Sequence, residues 1–70
     1  MQRKRVSSTE LFAVGYDSET SILEVELLNG SLYQYKNVAR MIYEELMASN
    51  AKARYYARYI RNSFAYDKLQ

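Results

Sequence analysis

The sequence predicts an α+β fold, in which a three-stranded antiparallel β-meander is followed by two α-helices (β-β-β-α-α). Three observations carry this prediction. Within residues 22–28, Leu23, Val25 and Leu27 alternate with Ile22, Glu24 and Glu26, as in a half-buried strand. Asn29-Gly30 then supplies the dipeptide typical of a tight hairpin turn. From residue 38 onward, apolar residues recur at helical spacing.

The three predicted strands follow one another with short turns between them. Residues 9–16 are rich in strand-forming residues, and the polar residues 17–21 indicate a turn. Residues 22–28 form the second strand, and residues 31–36 form the strand that returns after Asn29-Gly30. Because 70 residues hold a single core, we expect one domain.

Tyr33 and Tyr35 lie on the same face of the third strand, and the loop around Asn29-Gly30 decides which face that is. A two-residue loop places both rings on the acidic face of the preceding strand. A three-residue loop with a glycine bulge places them on the leucine face, beneath the helices. We expect the second arrangement, in which each phenol must still reach water or a partner.

Two helices complete the fold. In the first helix, apolar residues repeat every four positions, at Val38, Ile42 and Leu46. Asn37 is the predicted N-cap of this helix, and Ser49 or Asn50 is the predicted N-cap of the second. The apolar stripe of the second helix consists of Ala53, Tyr56, Ala57, Ile60 and Phe64.

The second helix also carries the candidate binding residues. Its arginines share the face opposite the apolar stripe, and two tyrosines flank them; these residues are Arg54, Arg58 and Arg61, with Tyr55 and Tyr59. Arginine binds phosphate through a planar fork of donors, and a tyrosine ring stacks on a base with about 1–3 kcal/mol. The competing interpretation is a solvated arginine face and tyrosines packed at a helix or subunit interface.

Composition argues against catalysis. The chain has no histidine and no cysteine, which excludes a Ser-His-Asp triad and a cysteine–histidine zinc site. Its two glycines cannot form a glycine-rich phosphate loop. The pairs Glu24/Glu26 and Glu44/Glu45 are interpreted as solvated faces. We therefore expect neither an enzyme nor a protein that needs a metal or other cofactor.

Charge is distributed unevenly along the chain. Residues 1–5 carry three basic groups and are predicted to be a flexible arm, whereas residues 6–35 carry five acids and no base. Residues 36–70 carry seven bases and three acids, which favours an anionic partner of limited size on the C-terminal half. Residues 6–64 are the predicted domain, and residues 65–70 are expected to fray.

The apolar segments are too short for a membrane span or a signal peptide, so we predict a cytoplasmic protein without a membrane partner. A domain of this size buries only about 60% of its unfolded surface and gains stability by association. With 49% hydrophobic residues, this chain is predicted to form a homo-oligomer.

Several short motifs together resemble the KTSC domain, a family named after the C-terminus of some lysyl-tRNA synthetases. They are Ser7-Ser8, Gly15-Tyr16-Asp17, Leu23/Val25/Leu27, Gly30, Tyr33-x-Tyr35, Val38, Tyr56 and Ile60-Arg61. The sequence departs from the family at Ala39, where a proline usually follows the valine. The resemblance implies no established activity and no catalytic residue, and it suggests RNA binding.

Three functions compete on this sequence. The first is a binding protein that sequesters a small nucleotide in a Tyr/Arg pocket between subunits. The second is an RNA-binding module, and the third is a protein-interaction module. The residues expected to bind the ligand are Arg54, Tyr55, Arg58, Tyr59 and Arg61, with Tyr33 and Tyr35 as further candidates.

Overall fold

Five antiparallel strands form one sheet in chain order, and two short helices pack on one of its faces. The computed structural model describes all residues from 1 to 70. The elements are β1 (Lys4–Arg5), β2 (Leu11–Asp17), β3 (Ile22–Leu27), β4 (Leu32–Tyr35), α1 (Arg40–Ala48), α2 (Lys52–Tyr59) and β5 (Tyr66–Lys68). The antiparallel sheet and the two helices agree with the α+β prediction, whereas the prediction of three strands is corrected to five.

The two additional strands come from the segments that were predicted to be an arm and a tail. Lys4 pairs with Val14 at one edge of the sheet, so β1 lies beside β2. At the other edge, Tyr66 pairs with Tyr35, so β5 lies beside β4. Strands of two and three residues are too short to show alternation in sequence. Their conformation depends on hydrogen bonds to a neighbouring strand, which local sequence patterns do not reveal.

The β3–β4 hairpin has the three-residue loop, as expected. The amide of Leu27 donates to the Ser31 carbonyl at 2.8 Å, and the Gly30 amide donates to the Leu27 carbonyl at 3.0 Å. Gly30 has a φ of +92°, a left-handed conformation that glycine adopts without steric cost. This register pairs Leu23 with Tyr35. The side chains of the YxY motif therefore lie on the helix-covered face of the sheet.

The predicted helix caps are wrong at both helices. Ala39 occupies the N-cap position of α1, while Asn37 adopts a left-handed φ of +58° in the preceding turn, which asparagine tolerates. The φ of −64° at Ala39 is the value that proline imposes, so the family's usual proline would fit here. At α2 the N-cap is Ala51, and Ser49 instead accepts a hydrogen bond from the Ala51 amide at 3.0 Å.

The core lies between the sheet and the helices. It consists of Leu11, Val14, Leu23, Val25, Leu27, Tyr35, Val38, Leu46, Tyr56 and Ile60. The start of α1 is held by Tyr16, whose hydroxyl donates to the Val38 carbonyl at 2.6 Å and whose ring stacks on Tyr43 at 5.2 Å. Neither helix has the length and apolar character that a membrane crossing requires.

Gly15 allows the N-terminal segment to cross the open face of the sheet. A Cβ atom at this position would lie 2.7 Å from the Gln2 carbonyl oxygen, which is backbone and cannot rotate away. Arg3, which is next in the chain, forms ion pairs with Glu24 and Glu26 on the same face. The close approach at Gly15 therefore positions the arginine over the two acids.

Substituting Gly15→Ala is expected to destabilise the protein by about 1–3 kcal/mol, the usual cost of an overpacked contact. Urea unfolding followed by circular dichroism measures this change. The control is the same substitution in a chain that lacks the first three residues, where the clash is absent and the cost should disappear. An equal cost in both backgrounds would contradict this explanation.

Candidate functional site

The seven predicted ligand-binding residues fall into two separate groups. α2 ends at Tyr59, with Ile60 at its C-cap, so Arg61 and Phe64 do not continue the helical stripes that the sequence predicted. Arg54, Tyr55, Arg58 and Tyr59 stay together on the outer surface of the helix, and we call them the α2 face. Arg61, Tyr33 and Tyr35 line a different opening, the tyrosine cleft.

The α2 face combines uncompensated positive charge with ring surface. Arg54, Arg58 and Tyr59 are exposed, and neither arginine takes part in an ion pair. The Arg58 guanidinium carbon lies 5.9 Å from the centre of the Tyr59 ring. The Tyr55 and Tyr59 rings are 4.8 Å apart at a tilt of 44°. Two cations and two adjacent rings are therefore available to a ligand on one helix surface.

Tyr55 is held in position by α1. Its hydroxyl donates to the Glu45 Oε1 atom at 2.7 Å. Burial, together with this hydrogen bond and the charge of Glu45, raises the pKa of Tyr55 to about 12. The ring is thereby fixed beside Tyr59, whose side chain is 48% exposed. Tyr55 provides the fixed part of the aromatic surface, and Tyr59 provides the accessible part.

The opening beside the α2 face is small. It has a volume of about 170 Å³ and is completed by Ser49 and Ala51. Sites that enclose a small organic ligand usually measure about 300–1,000 Å³. Arg54 also lines a second opening of about 520 Å³ on its other side, between residues 7–9 and the beginning of α2. One chain therefore leaves a nucleotide on the α2 face largely uncovered.

The tyrosine cleft has a volume of about 320 Å³ and lies where β4 and β5 meet the end of α2. Its lining consists of Glu10, Leu27, Tyr33, Tyr35, Tyr56, Arg61, Asn62 and Tyr66. The centres of the Tyr33 and Tyr66 rings are 5.5 Å apart at 69°, and Tyr35 lies 5.5 Å from Tyr66. Three rings from two neighbouring strands thus form an aromatic wall.

Tyr35 and Tyr56 meet at the base of this cleft. Their hydroxyl groups are 2.5 Å apart, and each residue is only 1% exposed. Burial raises the pKa of Tyr35, and the hydrogen bond to Tyr56 raises it further. Burial also raises the pKa of Tyr56, although hydrogen bonds from Tyr35 and Arg61 oppose that change. Both phenols are therefore neutral at physiological pH.

Arg61 belongs to the tyrosine cleft and is not part of the α2 face, which corrects the predicted grouping of the three arginines. Its Nη2 atom donates to the Glu10 Oε2 atom at 2.5 Å, and its guanidinium carbon lies 5.1 Å from the centre of the Tyr56 ring. The turn after α2 causes this difference, because the Arg61 amide donates to the Tyr56 carbonyl, five residues back. This bond interrupts the helical spacing.

Sequence reasoning missed five of the eight residues that line the cleft, among them Tyr56, Tyr66 and Glu10. Tyr56 was assigned to the apolar core, Tyr66 to a frayed tail, and Glu10 to no site. Tyr66 enters the cleft only because β5 pairs with β4, and a strand of three residues is too short to show alternation in sequence. Glu10 and Arg61 are 51 positions apart, so only the fold brings them together.

Glu24 is not part of a solvated face, contrary to the prediction, because only 7% of it is exposed. Arg3 forms an ion pair with it, and the Gln34 Nε2 atom donates to its Oε2 atom at 2.7 Å. Burial alone would raise the pKa of Glu24, but the hydrogen bonds from Gln34 and Arg3 outweigh burial and lower it. Arg3 also contacts Glu26 at 3.3 Å, so both acids help to hold the N-terminal segment.

Comparison with known proteins places this arrangement in a family. The sequence profile of the KTSC domain matches residues 7–64. The chain belongs to the KTSC domain family. The crystal structure of a KTSC domain protein from Yersinia pestis superposes with a TM-score of 0.92 at 30% identity, and the match covers 99% of this chain and 97% of that one. The fold described above is therefore shared along nearly the whole length of both KTSC proteins.

Relatives of this KTSC domain occur in two contexts. An uncharacterised protein of Stutzerimonas stutzeri is 36% identical over 56 residues, which cover 80% of this chain and 79% of the relative. Lysine–tRNA ligases of Trichormus variabilis and of a Nostoc species are 35% and 33% identical over 77% and 81% of this chain. In each ligase the match spans 10% of the length.

Proposed function

We propose that this KTSC protein is a non-catalytic binding protein for a ligand that carries both a flat ring and phosphate groups. The ligand is a small nucleotide, held and sequestered between the α2 faces of two copies of the chain. The observation that carries the proposal is the combination of two unpaired arginines with two adjacent tyrosine rings on one helix surface.

The unpaired state of Arg54 and Arg58 supports a phosphate ligand. Acids form ion pairs with Arg3, Lys36, Arg40 and Arg61. Glu45, the acid that contacts Tyr55 of the α2 face, forms an ion pair with neither Arg54 nor Arg58. Guanidinium groups bind phosphate oxygens through two parallel hydrogen bonds, which is stronger and more directional than a contact with water. The α2 face is therefore the surface on which a phosphate group forms the most favourable hydrogen bonds.

The small volume beside the α2 face supports a site between two copies. One chain leaves Tyr59 half exposed and covers little of a nucleotide. A second α2 face would supply a further ring on the opposite side of the base and two more arginines for the phosphates. Association would also stabilise a 70-residue domain that has no disulfide.

The double substitution Arg54→Ala/Arg58→Ala is expected to weaken nucleotide binding by about 100-fold or more. Each hydrogen bond to a charged group contributes about 1.5–3 kcal/mol, and every 1.4 kcal/mol changes affinity tenfold. Isothermal titration calorimetry with ATP, GTP, CTP, UTP and cyclic AMP measures the effect. The control is Lys36→Ala/Arg40→Ala, which removes the same charge from residues that are paired with acids.

The control variant should bind as the wild type does. Equal binding by wild type and Arg54→Ala/Arg58→Ala would contradict the assignment of the α2 face. Absence of binding to every nucleotide in the series would contradict the nucleotide ligand itself.

Single-stranded RNA is a second candidate ligand, and two observations favour it. Segments similar to this chain occur within lysine–tRNA ligases, enzymes that act on an RNA. The α2 face is also open, so a strand could stack one base on Tyr59 and continue past it. In this case the affinity for oligouridylate would fall steeply with salt, with a slope set by the number of phosphates held. A free nucleotide would depend less on salt.

A further inference from the structure

We infer that the tyrosine cleft is a second ligand site, which takes an uncharged flat ring bearing a hydrogen-bond acceptor, as in a nucleobase. This inference does not rest on the α2 face, because the two surfaces share no lining residue. The cleft differs from the α2 face in volume, in charge and in the presence of a buried hydroxyl pair.

The shape of the cleft fits a flat ring. Its volume of about 320 Å³ lies within the range of sites that hold small organic ligands. The Tyr33 and Tyr66 rings contact each other nearly at right angles, so a ligand ring that lies against the pair meets one face and one edge. Both geometries are favourable for aromatic pairs. Tyr66 is 52% exposed, which leaves the cleft accessible from solvent.

The hydroxyl pair at the base of the cleft leaves one proton without an acceptor. Tyr35 and Tyr56 each carry one phenolic hydrogen, and the bond between the two hydroxyls uses only one of them. Neither hydroxyl donates to any other group of the protein, although both residues are buried. Buried donors are nearly always satisfied. A ligand with a carbonyl oxygen or a ring nitrogen supplies the missing acceptor.

The charges around the cleft favour an uncharged ring. Arg61 and Glu10 are the charged residues of its lining, and they form an ion pair with each other. A phosphate at Arg61 would have to replace Glu10, and an ammonium group at Glu10 would have to replace Arg61. The uncharged acceptor at the hydroxyl pair requires neither exchange. A free nucleoside meets all three conditions.

The test is a titration of the ¹⁵N-labelled chain with adenosine, guanosine, cytidine and uridine, with ribose as the non-aromatic control. At least one nucleoside is expected to shift the amide signals of Tyr33, Tyr35, Arg61 and Tyr66 in a saturable manner. Tyr66→Ala should weaken this binding roughly tenfold, the effect of losing one stacked ring. Tyr59→Ala, on the α2 face, should leave it unchanged.

The double variant Arg54→Ala/Arg58→Ala separates this site from the proposed nucleotide site. It should keep its nucleoside affinity in the tyrosine cleft even where its α2 face no longer binds nucleotides. Tyr33→Ala provides a second cleft variant, and the amide spectrum of each variant reports whether it is folded. The inference would be overturned if no nucleoside caused a saturable shift, because water alone would then satisfy the hydroxyl pair. Shifts confined to residues 54–59 would also overturn it.

Discussion

Replacing Tyr56 with alanine is expected to remove most of the protein's free energy of unfolding at 25 °C. Tyr56 is among the largest fully buried side chains, and truncation of a buried aromatic residue to alanine costs about 3–5 kcal/mol. The loss also leaves the buried Tyr35 hydroxyl without its partner, at a further cost of about 1–3 kcal/mol. A domain of 70 residues has roughly 4–10 kcal/mol of total stability. Circular dichroism in urea measures the change.

Two further variants separate packing from hydrogen bonding at this position. Tyr56→Phe keeps the ring and removes only the hydroxyl, so a loss of about 1–2 kcal/mol is expected. Tyr59→Ala removes an exposed ring from the same helix and should change stability by about 0.5 kcal/mol or less. A Tyr56→Ala variant that is destabilised by less than about 1 kcal/mol would contradict the placement of this ring in the core.

Stability is also expected to fall steeply above pH 10. Burial raises the pKa values of Tyr35 and Tyr56 in the folded state above the usual value near 10 that applies after unfolding. Because the pKa is higher in the folded state, each phenol contributes its full stabilisation below pH 10. That stabilisation is lost as the pH rises further. Each such phenol lowers the unfolding free energy by about 1.4 kcal/mol per pH unit in that range. Urea midpoints measured between pH 8 and pH 12 follow this loss.

The contribution of the buried phenols to this alkaline effect is isolated by comparison with Tyr35→Phe. This variant has one buried phenol fewer and should lose stability less steeply above pH 10. Tyr59→Phe, at an exposed position, should retain the slope of the wild type. Identical slopes for the wild type and Tyr35→Phe would show that the buried phenol pair does not control the alkaline transition.

Local patterns predicted the central part of the fold because those patterns are strong there. The alternation of Leu23, Val25 and Leu27 and the left-handed preference of Gly30 define the hairpin. Two registers of the hairpin that differ by one residue place Tyr35 on opposite faces of the sheet. The three-residue loop resolves this choice, because it buries the ring against Tyr56. The packing energy that favours this register comes from contact with a residue that is distant in sequence.

The grouping of the candidate residues was predictable only where they lie on one helix. Arg54 and Arg58 share a face because they are four residues apart, and the structure keeps that spacing. Arg61 has the same helical spacing in the sequence, but the helix ends before it. Its guanidinium group forms an ion pair with Glu10. The tyrosine cleft needs β5, whose three residues show no detectable pattern without their partner strand. Helical spacing is local information, whereas strand pairing at a sheet edge is not.

The proposed function is tested most directly by native mass spectrometry of the protein as purified from bacteria. We predict an oligomer that carries the mass of a nucleotide, and we predict that Arg54→Ala/Arg58→Ala loses this additional mass. The mass itself would identify the nucleotide closely. A bare monomer, which remains bare after incubation with ATP, GTP, CTP, UTP and cyclic AMP, would contradict a nucleotide held between two α2 faces.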